Sequence, residues 1–208
     1  MFRKLLVAML VTVRLALAGA AEPPTFVEKW ATRATVEQVR EGGFVIYMRH
    51  GSTDSSKPDR FPQVDLSDCS TQRPLTDEGR QVASDVGKAI RRARWPIAEI
   101  LVSPLCRARE SAELAFGSGF AVHPQLMYSG NMTDPEKLPV VTTTRLLLAK
   151  PVASGSNRLI VAHAPNLMDV MGYFPKPEGT VVVFRPHGDG EFEYIASIAP
   201  KQWAELLK

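Results

Sequence analysis

The stretch of sequence that decides the fold is residues 44–51, which read FVIYMRHG. Its first five residues form a continuous apolar run, which is typical of a strand covered on both faces of a parallel sheet. Arg49 and His50 follow this run directly, and Gly51 comes next. Ligands of such sheets gather beyond the carboxyl ends of the strands. The stretch therefore predicts a buried strand whose carboxyl end presents two functional side chains.

Other apolar runs extend the same sheet. Residues 100–102 and 159–162 predict two more buried strands, the second followed directly by His163. Residues 180–184 and 192–198 are separated by turn-forming residues and predict a closing hairpin. The basic and polar residues after several of these strands are expected to meet at one edge of the sheet.

Helical patterns alternate with these strands. Thr76 predicts the N-cap of one helix. Ser103 and Pro104 predict the N-cap and first residue of another, which runs to about Phe116, and residues 140–149 predict a third. This alternation predicts an α/β fold, a three-layer α/β/α sandwich with a mostly parallel central sheet.

Two segments between these elements show no periodic pattern. They are residues 52–74 and residues 124–139, both rich in polar residues and proline. Irregular segments of this length are uncommon in compact domains and usually carry function. We expect both loops to select the substrate.

The first 21 residues have the three parts of a secretory signal peptide. A basic start is followed by an apolar stretch and by small residues at 18–20. Arg14 interrupts the apolar stretch, whereas a membrane-spanning helix needs about 20 predominantly apolar residues. We predict an exported protein, periplasmic or secreted, with no stable membrane insertion after cleavage. An uncleaved membrane anchor is the alternative.

The remainder, residues 22–208, predicts a single domain. The whole chain has 208 residues, of which 45% are hydrophobic and 23% charged, as in soluble globular proteins. Without residues 1–21, which carry three positive charges and no acid, the formal net charge falls from +3 to about zero. Nucleic-acid binding is therefore not expected, since it needs a basic excess. The oligomeric state stays open.

The chain has two cysteines, Cys69 and Cys106. In an oxidising compartment such a pair predicts a disulfide bond, and its number and spacing fit no zinc site. Two unrelated thiols are the alternative. No metal or other cofactor is predicted.

Four segments carry a resemblance to a known family. They are residues 48–51 (MRHG), 74–81 (PLTDEGRQ), 103–108 (SPLCRA) and 161–163 (VAH). In this order, each near a predicted strand end or helix start, they resemble the histidine phosphatase superfamily, also called phosphoglycerate mutase-like. The resemblance spans about residues 44–198 and implies the same α/β fold and a phosphotransfer chemistry.

The residues support that chemistry independently of the resemblance. A neutral imidazole is nucleophilic near neutral pH and can leave again, so His50 can carry a transient phosphoryl group. Arg49 and Arg107 offer planar charged groups that match phosphate oxygens, and His163, if protonated, adds a donor. These four residues are the predicted catalytic set.

The sequence departs from the family pattern where a proton donor is expected. Many members carry a Leu-x-Glu acid, and the matching position here is Tyr128. The phytase-like branch has an acid directly after its second histidine, where this chain has Ala164. The remaining candidates for the donor are Asp134, Glu136 and Glu178.

The predicted function is a phosphatase that hydrolyses phosphate monoesters through a phosphohistidine at His50. Its partners would be phosphorylated small molecules or proteins. One alternative is a phosphatase for phosphohistidine or another good leaving group, which suits the absent acid. A second alternative, of a different class, is a non-catalytic protein that binds phosphorylated ligands.

Overall fold

The computed structural model describes residues 25–60 and 64–208. The predicted leader, residues 1–21, lies outside the described residues. Within the described ranges, no helix combines the length and the apolar character needed to cross a membrane.

Helices alternate with strands along most of the chain. In order they are α1 (Arg33–Arg40), β1 (Val45–Arg49), α2 (Asp77–Arg92), β2 (Ile97–Val102), α3 (Cys106–Phe116), β3 (Ala121–Val122), α4 (Asp134–Ala149), β4 (Asn157–Ala162), α5 (Ala164–Met171), β5 (Val181–Gly188), β6 (Glu191–Ile198) and α6 (Trp203–Leu206).

The strands form one six-stranded sheet in the order β3-β2-β4-β1-β5-β6. The first four strands of this order are parallel, while β5 pairs antiparallel with both β1 and β6. β1, β4 and β2 are therefore adjacent and parallel, and their carboxyl ends lie at the same edge of the sheet. This edge holds the candidate site.

Helices cover both faces of the sheet, which confirms the predicted three-layer sandwich with a mostly parallel sheet. On one face Ile46 and Met48 of β1 pack in a cluster with residues of α1, α2, α3 and α6. On the other face Val45 and Tyr47 pack with residues of α4 and α5. Because β1 is buried from both sides, its sequence is a continuous apolar run instead of an alternating one.

The start of α2 is packed against the main chain that follows β1. Thr76 caps α2 as predicted, since its Oγ1 accepts a hydrogen bond from the Gly79 N–H at 3.0 Å. A Cβ atom on Gly51 would lie 2.2 Å from the Gly79 carbonyl oxygen, and one on Gly79 would lie 2.1 Å from that of Ser52. Both positions therefore require glycine for this close approach.

Two helix starts differ from the prediction. α3 begins at Cys106 with Leu105 as its N-cap, two residues after the predicted Ser103 cap. The Ser103 hydroxyl accepts from the Leu105 N–H and is hydrogen-bonded to His163, but Leu105 precedes the first helical residue, so Ser103 is not the N-cap of α3. The other helix, α4, starts at Asp134 and includes part of the predicted loop 124–139.

Candidate active site

The predicted catalytic residues meet at the shared carboxyl edge of β1, β4 and β2. His50 follows β1, and its N–H donates to the Ala162 carbonyl at the end of β4 at 3.1 Å. The Ser103 N–H, just after β2, donates to the Val161 carbonyl of β4 at 3.0 Å. The ring centroids of His50 and His163 are 5.1 Å apart. The register of three neighbouring strands thus brings together residues far apart in sequence.

His50 has the features of a neutral nucleophile. Its side chain is buried, and its Nδ1 lies 2.8 Å from the Gly51 carbonyl oxygen. A carbonyl oxygen can only accept, so Nδ1 carries the proton and the lone pair lies on Nε2. Burial and, after it, the positive charge of Arg107 lower the pKa of His50 well below its usual value, although the bond to Gly51 opposes them. The ring is therefore uncharged at neutral pH.

His163 is also buried and neutral. Burial lowers its pKa well below the usual value, and the charge of Arg107 adds to this effect. Its Nε2 lies 2.7 Å from the Ser103 Oγ, which itself accepts from the Leu105 N–H at 3.3 Å. The Ser103 hydroxyl proton can then point to Nε2, which leaves the ring proton on Nδ1. Within the described ranges Nδ1 is buried and has no partner, so it can donate to a phosphate oxygen as a neutral group.

Arg107 is fully buried at the second position of α3. Its Nη1 donates to Asp59 Oδ1 at 2.9 Å. Among the described residues, no partner is present for its Nε or Nη2, although both atoms are buried. Leaving a buried cation only partly paired costs free energy. A bound phosphate would accept hydrogen bonds from Nε and Nη2, the unpartnered edge of the guanidinium. The ion pair of Nη1 with Asp59 fixes the other side of the same planar group.

Arg49 ends β1 and has different neighbours. Its Nη1 donates to the Pro175 carbonyl at 2.8 Å, and its Nη2 forms a short ion pair with Glu178. Its guanidinium also lies 5.2 Å from the centre of the Phe174 ring. The buried Nε has no partner in the described parts of the chain. Arg49 is thus held by the segment before β5 and presents Nε as its free donor.

Arg73 and Asp59 belong to the site but were missed by the sequence analysis. The buried Nε of Arg73 has no partner among residues 25–60 and 64–208. Its charge lowers the pKa of His50 and of His163, after burial and the nearer charges. Asp59 Oδ1 accepts both from Arg107 and from the Arg73 N–H, the latter at 2.8 Å. Arg73 could have been found because it directly precedes the family-like segment at Pro74, whereas Asp59 stands in an irregular loop without any such signal.

The structure contains the predicted disulfide between Cys69 and Cys106. Cys106 is the first residue of α3 and directly precedes Arg107. The Cys106 N–H also donates to Gln72 Oε1 at 2.8 Å. The loop after β1 is thereby attached to the start of α3 by a covalent bond and a hydrogen bond, next to Arg73.

The three carboxylates predicted as proton donors are placed differently from one another. Glu178 pairs with Arg49. Glu136 accepts from the N–H and hydroxyl of Thr133, each at 2.8 Å, as part of the cap of α4, and these bonds lower its pKa. Asp134 is exposed at the first position of α4. The structure does not bring these three carboxyl groups together with His50 in any hydrogen bond between described residues.

A cavity of about 520 Å³ opens beside Arg73 and Arg107. It is also bordered by both cysteines, by Arg109, and by the acidic residues Glu110 and Glu113. The basic residues of the lining therefore exceed the acidic ones by a single charge. Among the described residues, no group of three or more His, Cys, Asp or Glu side chains has the arrangement of a metal site.

Comparison with known proteins agrees with this geometry. Residues 45–126 match the histidine phosphatase superfamily, branch 1. The fold is similar to that of the protein histidine phosphatase SixA in its tungstate complex, with a TM-score of 0.56, 21% identity, and coverage of 76% of this chain and 98% of SixA. It is also similar to phosphoserine phosphatase from Entamoeba histolytica bound to 3-phosphoglyceric acid, with a TM-score of 0.50, 16% identity, and coverage of 75% and 96%.

Comparison with curated proteins found no match. The comparisons thus show a match to this superfamily over residues 45–126 and a similar α/β fold.

Proposed function

We propose that the protein is a phosphatase that hydrolyses phosphate monoesters through a phosphohistidine on His50. One observation carries the proposal. A buried histidine with its lone pair on Nε2 lies beside a fully buried Arg107 whose Nε and Nη2 have no partner in the described chain. This combination suits a nucleophile next to a binding site for phosphoryl oxygens.

In the first step, Nε2 of His50 attacks phosphorus and the bond from phosphorus to the ester oxygen breaks. The ester oxygen keeps the electron pair of that bond and takes up a proton. Arg107, Arg49 and Arg73 face the negative charge of the phosphoryl oxygens, and Nδ1–H of His163 donates to one of them. His50 keeps its Nδ1 proton, which stays hydrogen-bonded to the Gly51 carbonyl, and the phosphorylated ring is therefore cationic.

In the second step, a water molecule attacks the phosphorus of the phosphohistidine. The bond to Nε2 breaks, and the ring takes back its electron pair and becomes neutral again. The water gives up one proton and inorganic phosphate leaves. The low pKa of His50 favours this step, because burial among cations makes the neutral ring the better leaving group.

Turnover of nitrophenyl phosphate by wild-type protein and by His50→Ala tests the proposal. Wild type should turn over and form an acid-labile, base-stable phosphoprotein, whereas His50→Ala should lose about 10⁴-fold or more of kcat. His187→Ala, at an exposed position, is the matched control and should behave as wild type. Substantial turnover by His50→Ala excludes the covalent mechanism. Binding of tungstate without any turnover by wild type would favour the non-catalytic binding protein.

A second candidate function is hydrolysis of phosphohistidine or of another substrate with a good leaving group. Two observations support it. Glu178 and Glu136 are engaged by Arg49 and Thr133, and the fold resembles that of a protein histidine phosphatase. Rates for a phosphohistidine peptide and for an alkyl phosphate separate the two candidates. A large excess of the first rate over the second would favour this candidate.

We also propose that the protein is exported and acts in the periplasm or outside the cell. The basic and apolar leader at residues 1–21 and the Cys69–Cys106 bond support this location. Expression of the full chain followed by N-terminal sequencing of the exported protein should give a first residue near Glu22. Retention of the leader on a membrane-bound product would support the anchor alternative.

A further inference from the structure

The proposed hydrolysis of alkyl esters needs a group that protonates the departing oxygen. Glu178 is bound to Arg49, and Glu136 caps α4 with its carboxylate. Asp134 is exposed at the start of α4. A donor must come within hydrogen-bond reach of the ester oxygen, which leaves from the phosphoryl group between Arg107 and His163.

The ring of Tyr128 lies beside both of these residues. Its ring lies 5.2 Å from the Arg107 guanidinium carbon and 5.5 Å from the His163 ring, which it meets edge to face at 85°. It thus contacts two of the residues that surround the phosphoryl group. Leu126, two residues earlier, is fully buried and anchors this segment below the site.

The phenol oxygen of Tyr128 lies close to Gly130 and is not engaged by a partner among the described residues. A Cβ atom on Gly130 would lie 2.6 Å from this oxygen, so a glycine at that position makes room for the hydroxyl. In the described parts of the chain the hydroxyl makes no hydrogen bond, and the side chain is partly exposed. The O–H group is therefore available to a substrate.

We propose that Tyr128 is the catalytic proton donor to the leaving group, an inference that rests on the proposed phosphatase function. As the bond from phosphorus to the ester oxygen breaks, the phenol O–H transfers its proton to that oxygen, and an alcohol and a phenolate result. The phenolate is a weaker base than an alkoxide, so the transfer is favourable, and the adjacent Arg107 cation stabilises it. In the second step the phenolate takes the proton from the attacking water and is restored.

An alternative role for Tyr128 is a hydrophobic wall against the leaving group. Tyr128→Phe separates the two roles, because it keeps the ring and its contacts with Arg107 and His163 and removes only the O–H. We expect kcat for an alkyl phosphate to fall about 10²-fold or more, while kcat for nitrophenyl phosphate changes less than about threefold. Tyr194→Phe is the matched control, since its hydroxyl bonds to Lys29 and Ser197 instead.

A second measurement covers any effect of Tyr128→Phe on folding. Replacing Tyr128 by a difluorotyrosine retains an O–H of greater acidity and should move the alkaline limb of kcat for the alkyl phosphate to lower pH. An unchanged alkaline limb, or an alkyl-to-aryl ratio in Tyr128→Phe equal to that of wild type, overturns the proposal.

The same assays separate this inference from the proposed function. Wild type that hydrolyses nitrophenyl phosphate but no alkyl phosphate overturns only the role of Tyr128. Wild type that hydrolyses neither, or retained aryl turnover in His50→Ala, overturns the phosphatase mechanism itself.

Discussion

The proposed phosphoryl-binding residues and the loops around them are held in different ways. His50 and His163 follow adjacent parallel strands, and the main chain of His50 is bonded to Ala162 and to the N–H of Gly179. Arg73 and Asp59 lie on the loop after β1, which is attached to α3 through the Cys69–Cys106 bond. The sheet therefore fixes the two histidines proposed to act on the substrate, whereas a covalent cross-link fixes the loop that carries Arg73 and Asp59. Chemistry and substrate selection can accordingly respond to different substitutions.

The largest difference is expected between Arg107, at the start of α3, and Arg73, on the loop. Arg107→Ala should lower kcat/KM by about 10³-fold, because it removes a buried charge next to the transferring group. Arg73→Ala should have a smaller effect, about 10-fold, since the effect of Arg73 on the pKa of His50 ranks below that of Arg107. Steady-state kinetics with nitrophenyl phosphate measure both. Equal losses in the two variants would contradict an assisting role for the loop residue Arg73.

Arg107→Lys sharpens the same comparison. A lysine keeps the charge but cannot use two edges of one planar group, here toward Asp59 and toward phosphate. We expect it to recover less than a tenth of the activity lost in Arg107→Ala. Recovery to near wild type would show that only the charge of Arg107 matters.

Removing the disulfide should affect stability strongly and the chemistry moderately. The two cysteines are 37 residues apart. Closing a loop of that size stabilises the folded state by about 3–4 kcal/mol on the loop-entropy estimate. A Cys69→Ser and Cys106→Ser double variant should lose free energy of unfolding of this size in urea titrations. Non-reducing mass analysis of wild type should find no free thiol, and two free thiols would refute the bond.

His50 and His163, at the sheet edge, should make the free energy of unfolding depend on pH, which is not expected of the loops. His50 and His163 have folded-state pKa values well below 6.5, so the unfolded chain binds more protons when the pH falls below about 6.5. Their contribution to stability is complete above that pH and is lost as the pH falls, by up to about 1.4 kcal/mol per pH unit for each histidine. His163→Asn should reduce the slope of the free energy of unfolding against pH by the contribution of one histidine. An unchanged slope in His163→Asn would place the titration elsewhere.

The smallest loss of kcat/KM is expected for a change in the ion pair between Asp59, on the loop after β1, and Arg107, at the start of α3. Asp59→Asn keeps the shape of the side chain but weakens its bond to Arg107 Nη1. We expect kcat/KM to fall about 10-fold because the guanidinium is less firmly oriented. A rise in kcat/KM would instead mean that the Asp59 carboxylate competes with phosphate for Arg107.

The parts of the molecule that the sequence predicted correctly have a local signal. β1 is a continuous apolar run, and the capping residue Thr76 is followed by two acids that favour a helix start. The residues at the strand ends could be placed together because parallel strands share a carboxyl edge. His50, Arg49, Arg107 and His163 stand at that edge.

One missed part had a local signal, and another depends on a contact distant in sequence. Residues 124–139 were predicted as a loop, yet Thr133 and Glu136 form a capping box and Pro135 fits the first turn of α4. The loss of one main-chain bond at Pro139 is tolerated. Asp59 acquires its role only because the loop folds back on Arg107, a pairing of residues 48 positions apart.

The contact between Gly51 and Gly79 limits how this scaffold can be redesigned. Two main-chain segments meet there without any side chain between them, one directly after the nucleophile and one in the first turn of α2. No substitution at either position can be absorbed by rotating a side chain, so the movement must pass to the backbone of His50. Changes to the loop between these two glycines should therefore retain both glycines, together with Asp59, Cys69 and Arg73.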